Sequence, residues 1–150
     1  MMYKTLLSLM VVAAVSLAAV HPASAARDFS NADIRGPYGV AFDGFISTPA
    51  GTGPVAAVGR FVSDGAGTLR NGVRTLSVNG QILHQTLRCT YSVDPEGTGN
   101  ATCHVRTDGV PSGTENYDFV IVGNGEEAFF TSTDPGVTIR GEAKRQQPGR

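Results

Sequence analysis

What the chain lacks bounds it first. It has no tryptophan, only two cysteines and three histidines, and charged side chains at just 17% of its 150 positions. The two cysteines, Cys89 and Cys103, are not in C-x-x-C spacing, so a dithiol redox motif is excluded. The Walker and dinucleotide glycine patterns are missing, and so is G-x-S-x-G. Nucleotide binding and a hydrolase-type nucleophile therefore have no support. No helical period appears beyond the first two dozen residues, and no later apolar run reaches the roughly 20 residues of a bilayer span.

Those first residues, "MMYKTLLSLMVVAAVSLAAVHPASAA", have Lys4 as their only charge, an apolar run from Leu6 to Val20, and a small-residue "ASA" ending at Ala25. This is the layout of a signal peptide, with cleavage expected between Ala25 and Ala26. The expected product is an exported protein, periplasmic or secreted, with no membrane anchor in the mature chain. Losing Lys4 leaves 11 basic and 13 acidic residues. So balanced a charge gives no footprint for nucleic acid or an anionic membrane.

Glycine is plentiful, at 19 residues, and with so few charges this predicts many turns between short strands. "VDPEGT" reads as a tight turn in which Pro95 pre-sets φ and Gly97 takes a left-handed position. Closing a three-residue loop there pairs Val93 with Gly99, Tyr91 with Ala101 and Cys89 with Cys103. Alternation places the cysteines at a non-hydrogen-bonded position, where side chains approach most closely. In an exported protein that spacing predicts a disulfide, with two buried thiols as the alternative. Metal binding fares worse, because His104, the only histidine nearby, turns to the opposite face. No cofactor or metal is expected.

Other corners repeat the pattern. Asn79-Gly80 pairs Leu76 with Leu83 and Arg74 with Gln85. Asn124-Gly125 pairs Ile121 with Ala128 and Phe119 with Phe130, and Pro135-Gly136 pairs Ser132 with Ile139. These registers agree on which face is apolar, and a slip of one residue would scramble it. Eight strands result, at 37–47, 54–63, 68–78, 81–93, 99–107, 115–122, 127–133 and 137–144. The economical all-β architecture is an antiparallel meander closed into an eight-stranded barrel over 37–144, because closure removes exposed edges. A two-sheet sandwich is the alternative. Either Arg60 or Phe61 points inward. Residues 108–114, "DGVPSGT", are expected to form the longest internal loop, and 26–36 and 145–150 a loose extension and tail.

The succession "GPYGVAFDG", "AAVGRFVSDGAGTL", "LSVNGQ" and "YSVDPEGTGNAT" resembles small exported bacterial proteins of unknown function. Those in turn are similar to allene-oxide-cyclase-like and lipocalin-like barrels. The resemblance spans about 37–144 and rests on turn glycines and strand alternation, so it carries no catalytic residue onto this chain. It implies binding, or reshaping, of a small apolar molecule in a central cavity.

One polar group lies on the apolar face. The Asn79-Gly80 register puts Arg74 and Gln85 among Leu76, Leu83 and Leu87. Arg74 there either holds a ligand's carboxylate or carbonyl, helped by Gln85, Tyr91 and Tyr117, or reaches a mouth and extends into water. Glu115 is placed to pair with it at a mouth. His84 and His104 are expected to face outward. Three functions remain open: a binder of a small apolar or amphipathic ligand, an isomerase or cyclase using Glu115, Arg74 and Tyr91, or a filled barrel that presents its surface. The binding reading calls for a cavity of roughly 300 Å³ or more.

Overall fold

The computed structural model describes residues 27–147; the expected leader and the last three residues lie outside the described residues. Eight antiparallel strands follow in order: β1 Arg35–Thr48, β2 Gly51–Asp64, β3 Thr68–Val78, β4 Gln81–Val93, β5 Thr98–Thr107, β6 Val110–Val122, β7 Glu127–Ser132 and β8 Val137–Arg145. Each pairs with the next, and β8 pairs with β1 along Tyr38–Arg145 to Ile46–Val137, so the sheet is a closed barrel rather than a sandwich. Among the described residues no helix is long and apolar enough to cross a membrane.

The corner residues set the registers. Arg74 pairs with Gln85, Cys89 with Cys103, Ile121 with Ala128 and Phe130 with Gly141, as the turns dictate. The cysteine sulfurs are 2.06 Å apart, a disulfide. Gly141 illustrates how fine the fit is. A Cβ there would lie 2.3 Å from the Phe130 ring and 2.6 Å from the Phe42 Cβ, where Phe42 and Phe130 meet edge to face.

The segment 108–114 is a correction. It is not a loop: β5 and β6 join through a two-residue turn, Asp108-Gly109, with φ of 48° and 81°. Both values are left-handed, as a type I′ hairpin requires. Pro111 and Gly113 suggested a loop but are tolerated in β6, because the ladder with β7 begins only at Tyr117, Asn116 is met by Thr133 and Asp134, and residues 110–115 have no strand partner on that side. A bulge opposite Val105/Arg106 absorbs Ser112. The Asn124-Gly125 corner is wider than a two-residue turn, spanning 123–126, but keeps the same register.

A second bulge lies in β3 around Asn71, at φ 52°: Arg70-Asn71 stand opposite Arg88 of β4, and Asn71-Gly72 opposite Phe61 of β2. It switches the inward parity of β3 from Leu69 to Gly72, Arg74 and Leu76. On β2 the inward residue is Phe61, stacked on Tyr38 at 5.4 Å, while Arg60 is exposed.

The N-terminal stretch is a second correction. Residues 27–34 are not a loose extension but fold across one end of the barrel, with a 3-10 turn at Asn31–Asp33 and Ile34 buried in the core. Arg145 likewise belongs to β8 rather than to a tail, and its guanidinium lies over the Tyr38 ring at 5.3 Å.

Candidate functional site

The barrel has a capped end and a hairpin end. At the first lie residues 27–34 with the loops 65–67, 94–97 and 123–126. At the second lie the four turns that open β2, β4, β6 and β8. The core divides accordingly. Ile34, Tyr38, Tyr91, Ala101, Ile121 and Ala143 pack toward the capped end. Phe42, Val55, Ala57, Leu76 and Ile139 pack toward the hairpin end.

Between the two halves is a void of about 120 Å³. Its cause is local: Gly72, Ala101, Ala128, Ala143 and the Cys89–Cys103 pair face inward at mid-height, and their side chains are too short to meet across the axis. Tyr38, Phe42, Phe61, Phe119 and Phe130 complete the wall. That wall is apolar, which favours a dry space over a hydrated one. The volume is less than half of what a drug-sized pocket needs.

Arg74 borders the void on its hairpin side. Its side chain is 5% exposed, so it does not reach out into water from a mouth. The charge is met inside. Its Nε donates to Gln85 Oε1 at 2.6 Å, and both terminal nitrogens donate to the Glu115 carboxylate, one of them also to the Tyr117 hydroxyl at 3.2 Å. Tyr117 donates to Glu115 Oε2, and the guanidinium lies 5.5 Å from the Phe42 ring centre. Gln85 Nε2 donates onward to Thr107 Oγ1, and Thr107 to Ser112 Oγ, so the network runs from the core to the surface.

Electrostatics follows from these contacts. Burial works against the Arg74 charge, but the hydrogen bonds and charge of Glu115 outweigh it and push its pKa up. Burial first, then the Glu115 charge, pushes the Tyr117 phenol well above the ordinary tyrosine range. Arg74 and Glu115 thus form a salt bridge beside a neutral phenol. Glu115 is the more accessible partner, its side chain 30% exposed. A ligand carboxylate reaching Arg74 must displace Glu115 into water. A base at Glu115 must first give up a bidentate partner.

Of the residues singled out from sequence, Arg74, Gln85, Tyr117 and Glu115 come together, and Tyr91 does not. Tyr91 is six positions beyond Gln85 on β4, about 20 Å of extended strand. Alternation fixes the face a residue occupies but not its height. The Tyr91 hydroxyl instead serves the capped end, donating to the carbonyls of Asn31 and Ile34 and sharing a hydrogen bond with Ser63 at 2.8 Å. Asn31 Oδ1 accepts from Val93 N at 2.8 Å.

The residues missed from sequence are those of the cap. Asp33, nearly buried, accepts from Ser30 N at 2.8 Å and from the Ser30 hydroxyl, and pairs with Arg27. The signal was present: Ser30-Asn31-Ala32-Asp33 is an S-x-x-D capping pattern. Burial works against the Asp33 charge, but the Ser30 and Arg27 contacts prevail and hold its carboxyl below the usual range.

Among the described residues no three His, Cys, Asp or Glu side chains converge as metal ligands would. Compared with known proteins, the chain matches no protein family, no curated protein and no solved structure at a significant level.

Proposed function

We propose that this is an exported binding barrel that takes up a small apolar molecule, close to benzene in size, in the void between its two core halves. The observation that carries the reading is the void itself, about 120 Å³ with an apolar wall. A dry engineered cavity of about 150 Å³ admits benzene, so the size suits a ligand of that order. The disulfide accords with an oxidising compartment, periplasmic or extracellular. The resemblance to lipocalin-like barrels points the same way. Arg74 and Tyr117 then border the site on its hairpin side, with Gln85 holding Arg74 from behind, and Tyr91 ties down the covering segment 27–34.

The test is a titration of benzene or toluene into methyl-labelled protein. The expected result is saturable shifts at the Ala101, Ala128 and Ala143 methyls, lost in Ala101→Leu, which fills the space. A folded wild-type protein whose alanine methyls do not respond overturns the reading in favour of a filled barrel that presents its surface. Mass spectrometry of protein purified from its own host, under native conditions, identifies any ligand that travels with it.

One observation favours a second reading, an isomerase or cyclase acting on such a ligand: the interior carboxylate of Glu115 against Tyr117 and Arg74. That chemistry predicts turnover lost in Glu115→Gln with uptake intact. Uptake and release of the unchanged molecule by the wild type eliminates it.

A further inference from the structure

The chain as a whole is nearly neutral, but its charges are not evenly spread. β3, β4 and β5, three adjacent strands, contain no aspartate or glutamate, yet they carry Arg70, Arg74, His84, Arg88, His104 and Arg106. The acidic strand residues lie elsewhere, on β1, β2, β6, β7 and β8. On the β7–β8 wall, Lys144 is paired with both Glu127 and Glu142. Arg88 and Arg106 have no carboxylate partner among the described residues.

Arg88, His104 and Arg106 border one depression of about 500 Å³ on the outer wall. Arg88 and His104 are directly opposed on β4 and β5, and Arg106 is two residues further along the same face. The depression has a structural cause. The β6 bulge at Ser112 bends that strand, and Gly113 beside it has open space where a side chain would stand. His104 Nδ1 is engaged with Thr114 Oγ1, which leaves its other ring nitrogen unengaged. Arg106 is steadied by two hydrogen bonds to the Gly109 carbonyl, from Nε and one terminal nitrogen, and the second terminal nitrogen is left.

We propose that this depression binds a tetrahedral oxyanion, a phosphate or sulfate monoester, on the guanidinium groups of Arg88 and Arg106 with His104 as the third donor. Guanidinium forks match such oxygens. Donors standing on two strands around one depression suit a group with three terminal oxygens better than a planar carboxylate. The depression has room for the ester's carrier over Gly113. The site is on the outer wall, separate from the void, and does not depend on what the void holds.

The experiment follows amide shifts of the folded protein on adding inorganic phosphate, phenyl phosphate, phenyl sulfate, or vesicles of phosphatidylcholine with phosphatidylglycerol. Expected are saturable shifts at Arg88, His104, Arg106 and Gly113 with the soluble esters. Their dissociation constant should rise on the order of tenfold in each of Arg88→Ala and Arg106→Ala, since each loses a charge-assisted contact. Arg140→Ala, an exposed cation on the opposite wall, should change nothing. Equal weakening by Arg140→Ala means general screening and overturns the site. Response to vesicles alone, with none to a soluble ester, overturns it in favour of a membrane surface.

Discussion

At the capped end of the barrel a stretch of backbone, residues 27–34, lies across the interior; hydrogen bonds tie it to Tyr91, Ser63 and Val93, the Arg145 guanidinium donates to the Asp33 carbonyl, and its buried Asp33 carboxylate is met within the same segment by Ser30 and Arg27. At the hairpin end no chain crosses; Arg74, Glu115, Tyr117 and Gln85 close the interior with side chains reaching from three strands. One end is thus shut by a backbone cover whose buried charge is answered inside its own segment, the other by a charge pair that bridges separate strands. The difference lies in what happens when a member is removed. A neutral hydrogen bond lost from a cover costs about 1 kcal/mol, whereas an ion left alone inside costs several.

The largest effect that tests this contrast is at the hairpin end. Glu115→Ala leaves the Arg74 guanidinium buried without its counter-ion, and we expect a loss of about 3–5 kcal/mol in urea unfolding. Arg74→Ala should cost less than Glu115→Ala, because the carboxylate it strands is already reached by water. A Glu115→Ala loss under about 1 kcal/mol would show that Arg74 escapes to solvent and that the contrast is false.

Next is the bond that belongs to neither end. Cys89→Ala with Cys103→Ala opens a bridge of sequence separation 14 at mid-height. The expected loss is about 3 kcal/mol by loop closure. Both halves should loosen together in hydrogen exchange. Loosening confined to one end would make the disulfide part of that end.

The capped end should respond to acid. The Asp33 pKa is lower in the folded protein than its ordinary value of about 3.9. Its contribution is therefore complete above that value and is lost as pH falls through the folded one. Acidification below about pH 4 should lower the exchange protection factors of the Ile34 and Val93 amides before those of the β3 and β4 residues near the hairpin end. Asp33→Asn should remove the dependence and lower stability by about 1–2 kcal/mol. Simultaneous opening of both ends would break the distinction.

The smallest effect is spectroscopic. Tyr38, Tyr91 and Tyr117 all have pKa values raised chiefly by burial, Tyr117 most of all because the Glu115 charge adds to it. With tryptophan absent, ultraviolet absorbance reads phenolate directly. No tyrosine of the chain after Ala25 should ionise near its ordinary pKa of about 10, and Glu115→Gln should lower the Tyr117 value alone.

Much of the fold was legible because turn chemistry and alternation act locally. Asn79-Gly80 and Pro95 to Gly97 fix loop lengths, loop lengths fix registers, and registers fix which face is greasy. The same reasoning placed Arg74 and Gln85 inside and joined the two cysteines. It failed at Pro111, where a strand has no partner on one side and tolerates residues that elsewhere end strands. It also failed at 27–34, where order comes from packing across the barrel mouth rather than from any local preference.

By itself, the sequence determined the strands, most of their registers, the cysteine pair and the inward face of the wall, since each depends on residues within one hairpin. Only closure of the sheet decided the rest. It drew the Arg74–Glu115 pair, expected at a mouth, into the interior on the Arg74 side, separated Tyr91 from both, laid the N-terminal segment over one mouth and left a void where short side chains met. Those are contacts across an axis, and their distances depend on how eight strands are staggered around it, which no single turn encodes.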